Sequence, residues 1–74
     1  MKRYGNKTGE SPIIGYEVGK DSIIVTYSDG NKYKYTFTTP GKRHVLAMME
    51  LAESGEGLST YISKYVRENY ESRA

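Results

Sequence analysis

Apolar and polar residues alternate along the first half of the chain in a pattern that is typical of half-buried β-strands. Three successive runs each place their apolar side chains on one face: Ile14, Tyr16 and Val18; Ile23, Val25 and Tyr27; and Tyr33, Tyr35 and Phe37. A period of two residues is expected for a strand with one face in the core. The pattern therefore predicts a three-stranded antiparallel β-meander.

Glycines indicate the turns that join these strands. Gly19, followed by Lys20, is suited to a type II′ hairpin turn. The second connection contains Gly30, and a three-residue loop with a bulge at this glycine keeps the apolar runs on one face. The predicted register places Tyr16 opposite Ile23, Ile14 opposite Val25, Val25 opposite Tyr33, and Ile23 opposite Tyr35.

The second half of the chain has a helical period instead. Thr39 and Pro40 resemble an N-cap followed by proline in the first helical position, which predicts a helix from about residue 40 to 54 that stops at Gly55. A second helix is predicted after Gly57 and ends near Tyr70. The apolar stripes of the two helices are Val45, Met48, Met49 and Ala52, and then Leu58, Tyr61, Ile62, Tyr65 and Val66.

One apolar sheet face and two apolar helix stripes must cover one another. The sequence therefore predicts an α+β fold in which two helices pack on one face of the meander, in the order βββαα. Residues 12 to 70 are predicted to form one compact domain. Residues 1 to 11 are polar and show no period, which predicts a flexible basic arm, and residues 71 to 74 are predicted to fray.

The alternating tyrosines of the third strand allow two interpretations. They could stack on nucleic-acid bases, as the aromatic strand of an RNA-recognition module does, or they could fill the protein core. If the tyrosine face were open, the helical stripes would have to pack on Lys32, Lys34 and Thr36 and would bury charge without partners. This cost favours core tyrosines.

Composition narrows the class of protein. The chain has 74 residues, and with so short a chain nearly every large apolar side chain is needed for the core. It contains no cysteine, which favours a reducing compartment, and it has no apolar run near the roughly 20 residues of a membrane span. The sequence predicts a soluble cytoplasmic protein that does not enter a membrane.

Basic side chains are the candidate contacts for an anion or a nucleic acid. The net charge is only +2, so position matters more than number. The candidates are Lys32, Lys34, Lys42, Arg43, His44, Lys2, Arg3 and Lys7. The alternative is that these side chains simply form solvated surfaces, and that lysines on an edge strand discourage unwanted pairing.

No set of residues predicts catalysis, a metal site or a cofactor site. His44 is the only histidine, it has no ligand at metal-binding spacing, and we expect it at the surface. Glu50 and Glu53 share a helix face, but this spacing is routine on a solvated helix. The Pro40-Gly41-Lys42 sequence lacks the spacing of a phosphate loop. We therefore predict that the chain is not an enzyme and has no cofactor.

The chain also resembles a known family. The matching positions are Ser11-Pro12-Ile13-Ile14-Gly15-Tyr16, Ile23, Val25, Tyr27, Asp29-Gly30-Asn31, Tyr33, Tyr35, Ser54-Gly55, Gly57-Leu58-Ser59 and Ile62, followed by a closing tyrosine. Together they are similar to the KTSC domain, a small module named from the C-terminal tail of some lysyl-tRNA synthetases and also found as short bacterial and phage proteins. The family usually has an aromatic-Asn pair where Leu58-Ser59 stands, and a basic residue where Ser63 stands.

The resemblance implies a strand-rich N-terminal half followed by helices, and it supplies no catalytic residue. The main functional prediction is a small non-enzymatic binding or accessory module. One alternative is weak, largely sequence-independent binding of RNA or DNA through a basic sheet face and helix start. Another is a structural protein that associates with itself. The expected partners are a nucleic acid or another protein, and the expected state is a monomer or a weak homodimer.

Overall fold

The described part of the chain forms a five-stranded antiparallel sheet with two helices packed on it. The structure is a computed structural model that describes residues 2–7, 9 and 11–74. Its elements are β1 (Lys2–Arg3), β2 (Ile13–Val18), β3 (Ser22–Tyr27), β4 (Lys32–Thr36), α1 (Lys42–Ser54), α2 (Leu58–Tyr61), a π-helical turn (Ile62–Val66) and β5 (Ser72–Arg73). The strands lie in the order β1-β2-β3-β4-β5. The α+β class is confirmed, whereas the expected strand number of three is wrong.

The hairpin between β3 and β4 has the predicted register. Val25 lies opposite Tyr33, and Ile23 lies opposite Tyr35. Gly30 has a φ of 92°, a conformation that glycine adopts without steric cost, and its N–H donates to the carbonyl of Tyr27 at 2.9 Å. The odd loop keeps the aliphatic and aromatic side chains on one face, as predicted.

The hairpin between β2 and β3 differs from the prediction by two residues. Tyr16 lies opposite Val25 rather than Ile23. The N–H of Gly19 donates to the carbonyl of Ser22 at 2.8 Å, so the tight connection is made by the two residues that follow Gly19. The predicted turn position for Gly19 is therefore wrong.

A bulge near the start of β2 changes which isoleucine is buried. The register shifts between Ile13 and Gly15, which adds one residue to β2 without a partner on β3. As a result Ile13 is fully buried, while Ile14 is 45% exposed. The prediction that Ile14 belongs to the core is wrong, because strict alternation breaks at a bulge.

The N-terminal segment is part of the sheet, where a flexible arm had been expected. Lys2 lies opposite Tyr16 as the first residue of β1, and Tyr4 is only 3% exposed. The hydroxyl of Tyr4 accepts a hydrogen bond at 3.2 Å from the N–H of Leu58 in the first turn of α2. Burial of an aromatic ring explains why this polar segment packs. Residues 1, 8 and 10 of the expected arm lie outside the described residues.

The C-terminal segment also joins the sheet, where fraying had been expected. β5 pairs with β4, and the N–H groups of Glu71 and Ala74 donate to the carbonyls of Lys34 and Lys32 at 2.8 and 3.0 Å. The Thr36 hydroxyl also hydrogen-bonds the carboxylate of Glu71. Main-chain pairing with the edge of β4 satisfies groups that would otherwise need water.

The helices differ from the prediction at their ends. α1 begins at Lys42 with Gly41 as N-cap, so Pro40 is not its first residue. Gly55 ends α1 as predicted, with a φ of 81° and its N–H donating to the carbonyl of Leu51. The second helical segment ends at Val66, well before Tyr70, and its last turn is π-helical.

The core lies between the sheet and the helices, and it includes tyrosines that could instead have stacked on nucleic-acid bases. Tyr16 and Tyr35 are 5% and 1% exposed beneath the helical layer. The remaining buried apolar residues are Tyr4, Ile13, Ile23, Val25, Val45, Met48, Ala52, Leu58, Ile62 and Val66. Tyr16 and Tyr35 are therefore core residues, Tyr27 and Tyr33 are partly buried beside them, and the opposite sheet face is left without a helical cover.

Candidate functional site

The face of the sheet opposite the helices gathers three of the predicted basic residues. Residues directly opposite each other on neighbouring strands share a face. One row across the sheet runs Arg3, Gly15, Thr26, Lys32, and the next runs Glu17, Ile24, Lys34, Ser72. We call the residues Arg3, Glu17, Ile24, Thr26, Lys32 and Lys34 the outer face.

The cations of the outer face are spread over a patch. Lys32 and Lys34 are two residues apart on β4, about 7 Å along the strand. Arg3 lies three strands away in the row of Lys32, a distance of about 14 Å. Thr26 lies between these cations and is 6% exposed, so the residue at the centre of the patch is buried. Glu17 places one negative charge on the same face.

Two other predicted basic residues lie elsewhere. Lys2 is opposite Tyr16, so its side chain belongs to the helix side of the sheet. Lys7 lies against the end of α1, where its N–H donates to the carbonyl of Gly55 at 2.8 Å. Neither residue joins the outer face.

The predicted cations at the start of α1 also form a separate group. The Nζ atom of Lys42 lies 5.7 Å from the ring centroid of Phe37. His44 is half-buried, and its Nδ1 atom shares a 2.8 Å hydrogen bond with the hydroxyl of Tyr61, a contact that the sequence did not predict. Arg43 lines a shallow groove on the outside of α1.

A second candidate site was not predicted from the sequence. It is a cleft of about 310 Å³ at the end of the sheet, on the helix side. Its lining residues are Tyr27, Asp29, Tyr33, Tyr35, Arg67, Glu68, Tyr70 and Arg73. We call it the tyrosine cleft.

The rings of the tyrosine cleft contact one another in a chain. Tyr27 and Tyr33 meet edge to face with their centroids 5.6 Å apart, and Tyr33 and Tyr70 are 4.7 Å apart with tilted planes. Tyr70 also meets Tyr35 edge to face at 6.2 Å. These are favourable aromatic geometries, and they hold the segment after the π-helical turn against β4.

Burial raises the pKa of two phenols in this cleft, Tyr27 and Tyr35. Burial of the hydroxyl raises the pKa of Tyr35 above its usual value, and burial is also the main cause that raises the pKa of Tyr27. Both hydroxyls therefore stay protonated well above neutral pH and remain hydrogen-bond donors.

Two guanidinium groups complete the tyrosine cleft. The Nη2 atom of Arg73 donates to the hydroxyl of Tyr33 at 3.3 Å, and its guanidinium carbon lies 5.5 Å from the centroid of that ring. The hydrogen bond with Tyr33 also holds the pKa of Arg73 above its usual value. The Nε atom of Arg67 donates to the carbonyl of Ser63 at 3.3 Å.

The backbone at Arg67 is strained. This residue follows the π-helical turn and has a φ of 46° with a ψ of −118°, a conformation that L-residues with a side chain rarely adopt. Such a residue costs about 1–3 kcal/mol, and strained residues and π-helical turns both occur often at functional sites. The strained position is the one that brings the Arg67 side chain to the cleft.

The sequence predicted the position of only some of the residues that line this cleft. The predicted register already placed Tyr33 and Tyr35 on the helix side, and it treated them as core residues. Tyr70, Arg67 and Arg73 reach the cleft only because the chain turns back after Val66 and pairs with β4. No local pattern around residue 67 predicts that reversal.

Comparisons with known proteins give no further assignment. No protein-family description, no curated protein and no solved structure matches the chain. The resemblance to the KTSC domain therefore stays a prediction. Within residues 2–7, 9 and 11–74, no helix is long and apolar enough to cross a membrane, and no group of three or more potential metal ligands comes together.

Proposed function

We propose that the chain is a small non-enzymatic binding module and that its partner contacts the outer face of the sheet. The observation that carries this proposal is the placement of Arg3, Lys32 and Lys34 on one sheet face that the helices leave uncovered. Exposed Ile14 lies beside this face at the bulge of β2. Single exposed aliphatic side chains are ordinary on protein surfaces, so the three cations carry the argument for binding.

The phosphate backbone of RNA or DNA is the partner that this charge pattern favours. The three cations lie along one surface, and phosphates supply the negative charge that such a surface attracts. The outer face has no aromatic residue on which a base could stack, because the tyrosines of β2 and β4 face the helices. The proposed binding is therefore weak and largely independent of sequence.

The strand pairing supports a partner other than a second copy of the chain. β1 pairs along one side of the meander and β5 pairs along the other. Both added strands are two residues long and each carries arginine, features that discourage pairing with another sheet. This arrangement makes self-association through strand edges the weaker alternative.

A binding titration at two salt concentrations tests the proposed function. Fluorescence anisotropy of a short labelled DNA duplex is measured at about 50 and about 200 mM salt. With two or three phosphate contacts, the affinity is expected to fall roughly ten- to forty-fold between the two conditions. Binding that does not weaken with salt contradicts the proposal.

Matched variants locate the contact. The double variant Lys32→Gln/Lys34→Gln should weaken binding and lower the salt slope by about two contacts. Lys64→Gln is the control for charge loss away from the outer face, because it removes one positive charge from the exposed surface of the π-helical turn on the helical layer. Equal affinities for the double variant and the unchanged protein would remove the outer face as the binding surface.

A further inference from the structure

The tyrosine cleft has the size and lining of a small-molecule site. Its volume of about 310 Å³ lies at the lower end of the range of roughly 300–1,000 Å³ that is usual for ligand pockets. Partly exposed aromatic rings line it, together with phenol hydroxyls, two guanidinium groups and the carboxylates of Asp29 and Glu68. It lies on the helix side of the sheet, so it is separate from the outer face.

The polar groups of the tyrosine cleft favour an anion over a cation. Arg67 and Arg73 bring donors that pair with carboxylates and phosphates in a planar geometry. The carboxylate of Asp29 is held by the β3–β4 loop, where it accepts two 2.9 Å hydrogen bonds from the main-chain N–H and side-chain amide of Asn31. Glu68 is exposed, as are Arg67 and Arg73.

The aromatic rings favour a ligand with a ring of its own. Tyr27, Tyr33 and Tyr70 are each only partly buried, although they contact one another at centroid distances of 4.7 to 5.6 Å. An exposed ring face or edge gains from a further aromatic partner. The strained backbone of Arg67 is a second and independent observation in favour of a binding site. Its conformation is unfavourable for folding, yet it places a guanidinium at the cleft.

We infer that the tyrosine cleft binds a planar aromatic ring that carries one anionic group, a carboxylate or a phosphate. The ring packs against the partly exposed tyrosine rings, and the anionic group pairs with Arg67 and Arg73. This binding is independent of the outer face and of any nucleic acid there. Failure of one site leaves the other untouched.

Titrations with small probes test the ligand class. Phenyl phosphate and benzoate are titrated while tyrosine fluorescence and amide chemical shifts are followed, with inorganic phosphate, acetate and benzyltrimethylammonium as comparators. Each aromatic anion is expected to bind roughly tenfold tighter than its non-aromatic counterpart, which is the gain of one stacking contact. The stronger of the two aromatic anions identifies the anionic group. Equal binding of inorganic phosphate, or tighter binding of benzyltrimethylammonium, overturns the inference.

The variant Arg67→Gly separates a binding role from a structural one. Glycine accepts a φ of 46°, so the variant should melt a few degrees higher than the unchanged protein. It also lacks the guanidinium, so its affinity for the aromatic anion should fall about tenfold or more. Unchanged affinity in Arg67→Gly overturns the inference.

Two further variants provide a second test and a control. Arg73→Gln should lose a similar amount of affinity; because β5 pairs through its main chain, it should lose only the exposed side-chain contacts with Tyr33 and melt within a few degrees of the unchanged protein. Lys64→Gln removes a positive charge outside the cleft lining and should bind as the unchanged protein does. Equal losses in Lys64→Gln and Arg73→Gln would show a general charge effect and would overturn the assignment to the cleft.

Discussion

At the scale of single residues, the tyrosines fill space in the core with their rings and interact with one another through their hydroxyls. Tyr35 is 1% exposed and fills the space under the helical layer, while its hydroxyl interacts with that of Tyr27. Burial penalises the charged phenolate, so the pKa of both groups is raised. A tyrosine can therefore serve as the large apolar side chain of this core at neutral pH. At high pH, ionisation of its hydroxyl destabilises the folded state.

This shift predicts a loss of stability in alkaline solution. The folded pKa of Tyr35 lies above its unfolded value of 10.0, so the folded state holds a proton that the unfolded state releases as pH rises. The stability that depends on the neutral phenol is complete below about pH 10 and falls as pH rises above it. Thermal melts between about pH 8 and pH 11 measure the fall.

The variant Tyr35→Phe is the comparison for this prediction. It keeps the ring but removes the titrating hydroxyl, so its melting temperature should fall less steeply above about pH 10. Tyr27 continues to titrate and leaves a smaller slope. Parallel melting curves for the two proteins across this range would show that the Tyr35 hydroxyl does not control alkaline stability.

At the scale of elements, the N-terminal segment ties the edge of the sheet to the helical layer. A Cβ placed on Gly5 would lie 3.1 Å from the Cα of Gly55, so the two backbones pass at close range. Beside this crossing the N–H of Lys7 donates to the carbonyl of Gly55. Gly55 must therefore end α1 with a positive φ and also leave room for the N-terminal segment.

This double role predicts a large cost for Gly55→Ala. Gly30 is the matched control, since its φ of 92° is similar to the 81° of Gly55, but nothing lies within 4 Å of a Cβ built there. Gly30→Ala should cost only the backbone term of about 1–2 kcal/mol. Gly55→Ala should cost about 1–3 kcal/mol more, because a Cβ at Gly55 lies 3.2 Å from the Cα of Gly5, closer than ordinary van der Waals contact, and the N-terminal segment has to give way.

Urea unfolding of both variants measures the difference. The free energies of unfolding follow from the transition midpoints when the slopes agree. Equal destabilisation of the two variants would mean that the N-terminal segment does not pack on Gly55 in solution.

At the scale of the whole molecule, β1 and β5 extend a sheet whose two faces are covered differently. β1 and β5 flank the meander, and the helices cover one face. The other face displays Arg3, Lys32 and Lys34. The tyrosine cleft lies on the covered side, beyond the helices, so the proposed ligands reach the molecule from opposite directions.

Sequence patterns predicted the central part of this arrangement. The period of two in β3 and β4 and the odd loop at Gly30 were sufficient for their register, because alternation and turn length are local properties. The same alternation placed Lys32 and Lys34 opposite the tyrosines. The helical stripes predicted the layer that covers Tyr35.

The remaining features depend on contacts between distant residues. A two-residue strand such as β1 or β5 has no periodic pattern. No local pattern therefore predicts that Arg3 pairs with β2 or that Arg73 pairs with β4. A bulge interrupts alternation without a residue that marks it, and this is why Ile14 was assigned to the core. Tyr70 was assigned to a helix end because its partner Tyr33 lies far away in the sequence.

Chemical-shift mapping is the most direct test of the claim that the outer face binds and the tyrosine face is core. The amide shifts of the protein are followed while a short DNA duplex is added at low salt. We expect the largest shifts in β4 and β1, at Lys32, Lys34 and Arg3, and small shifts at Tyr16 and Tyr35. The largest shifts at the tyrosines of the sheet, or no shift in any strand, would contradict it.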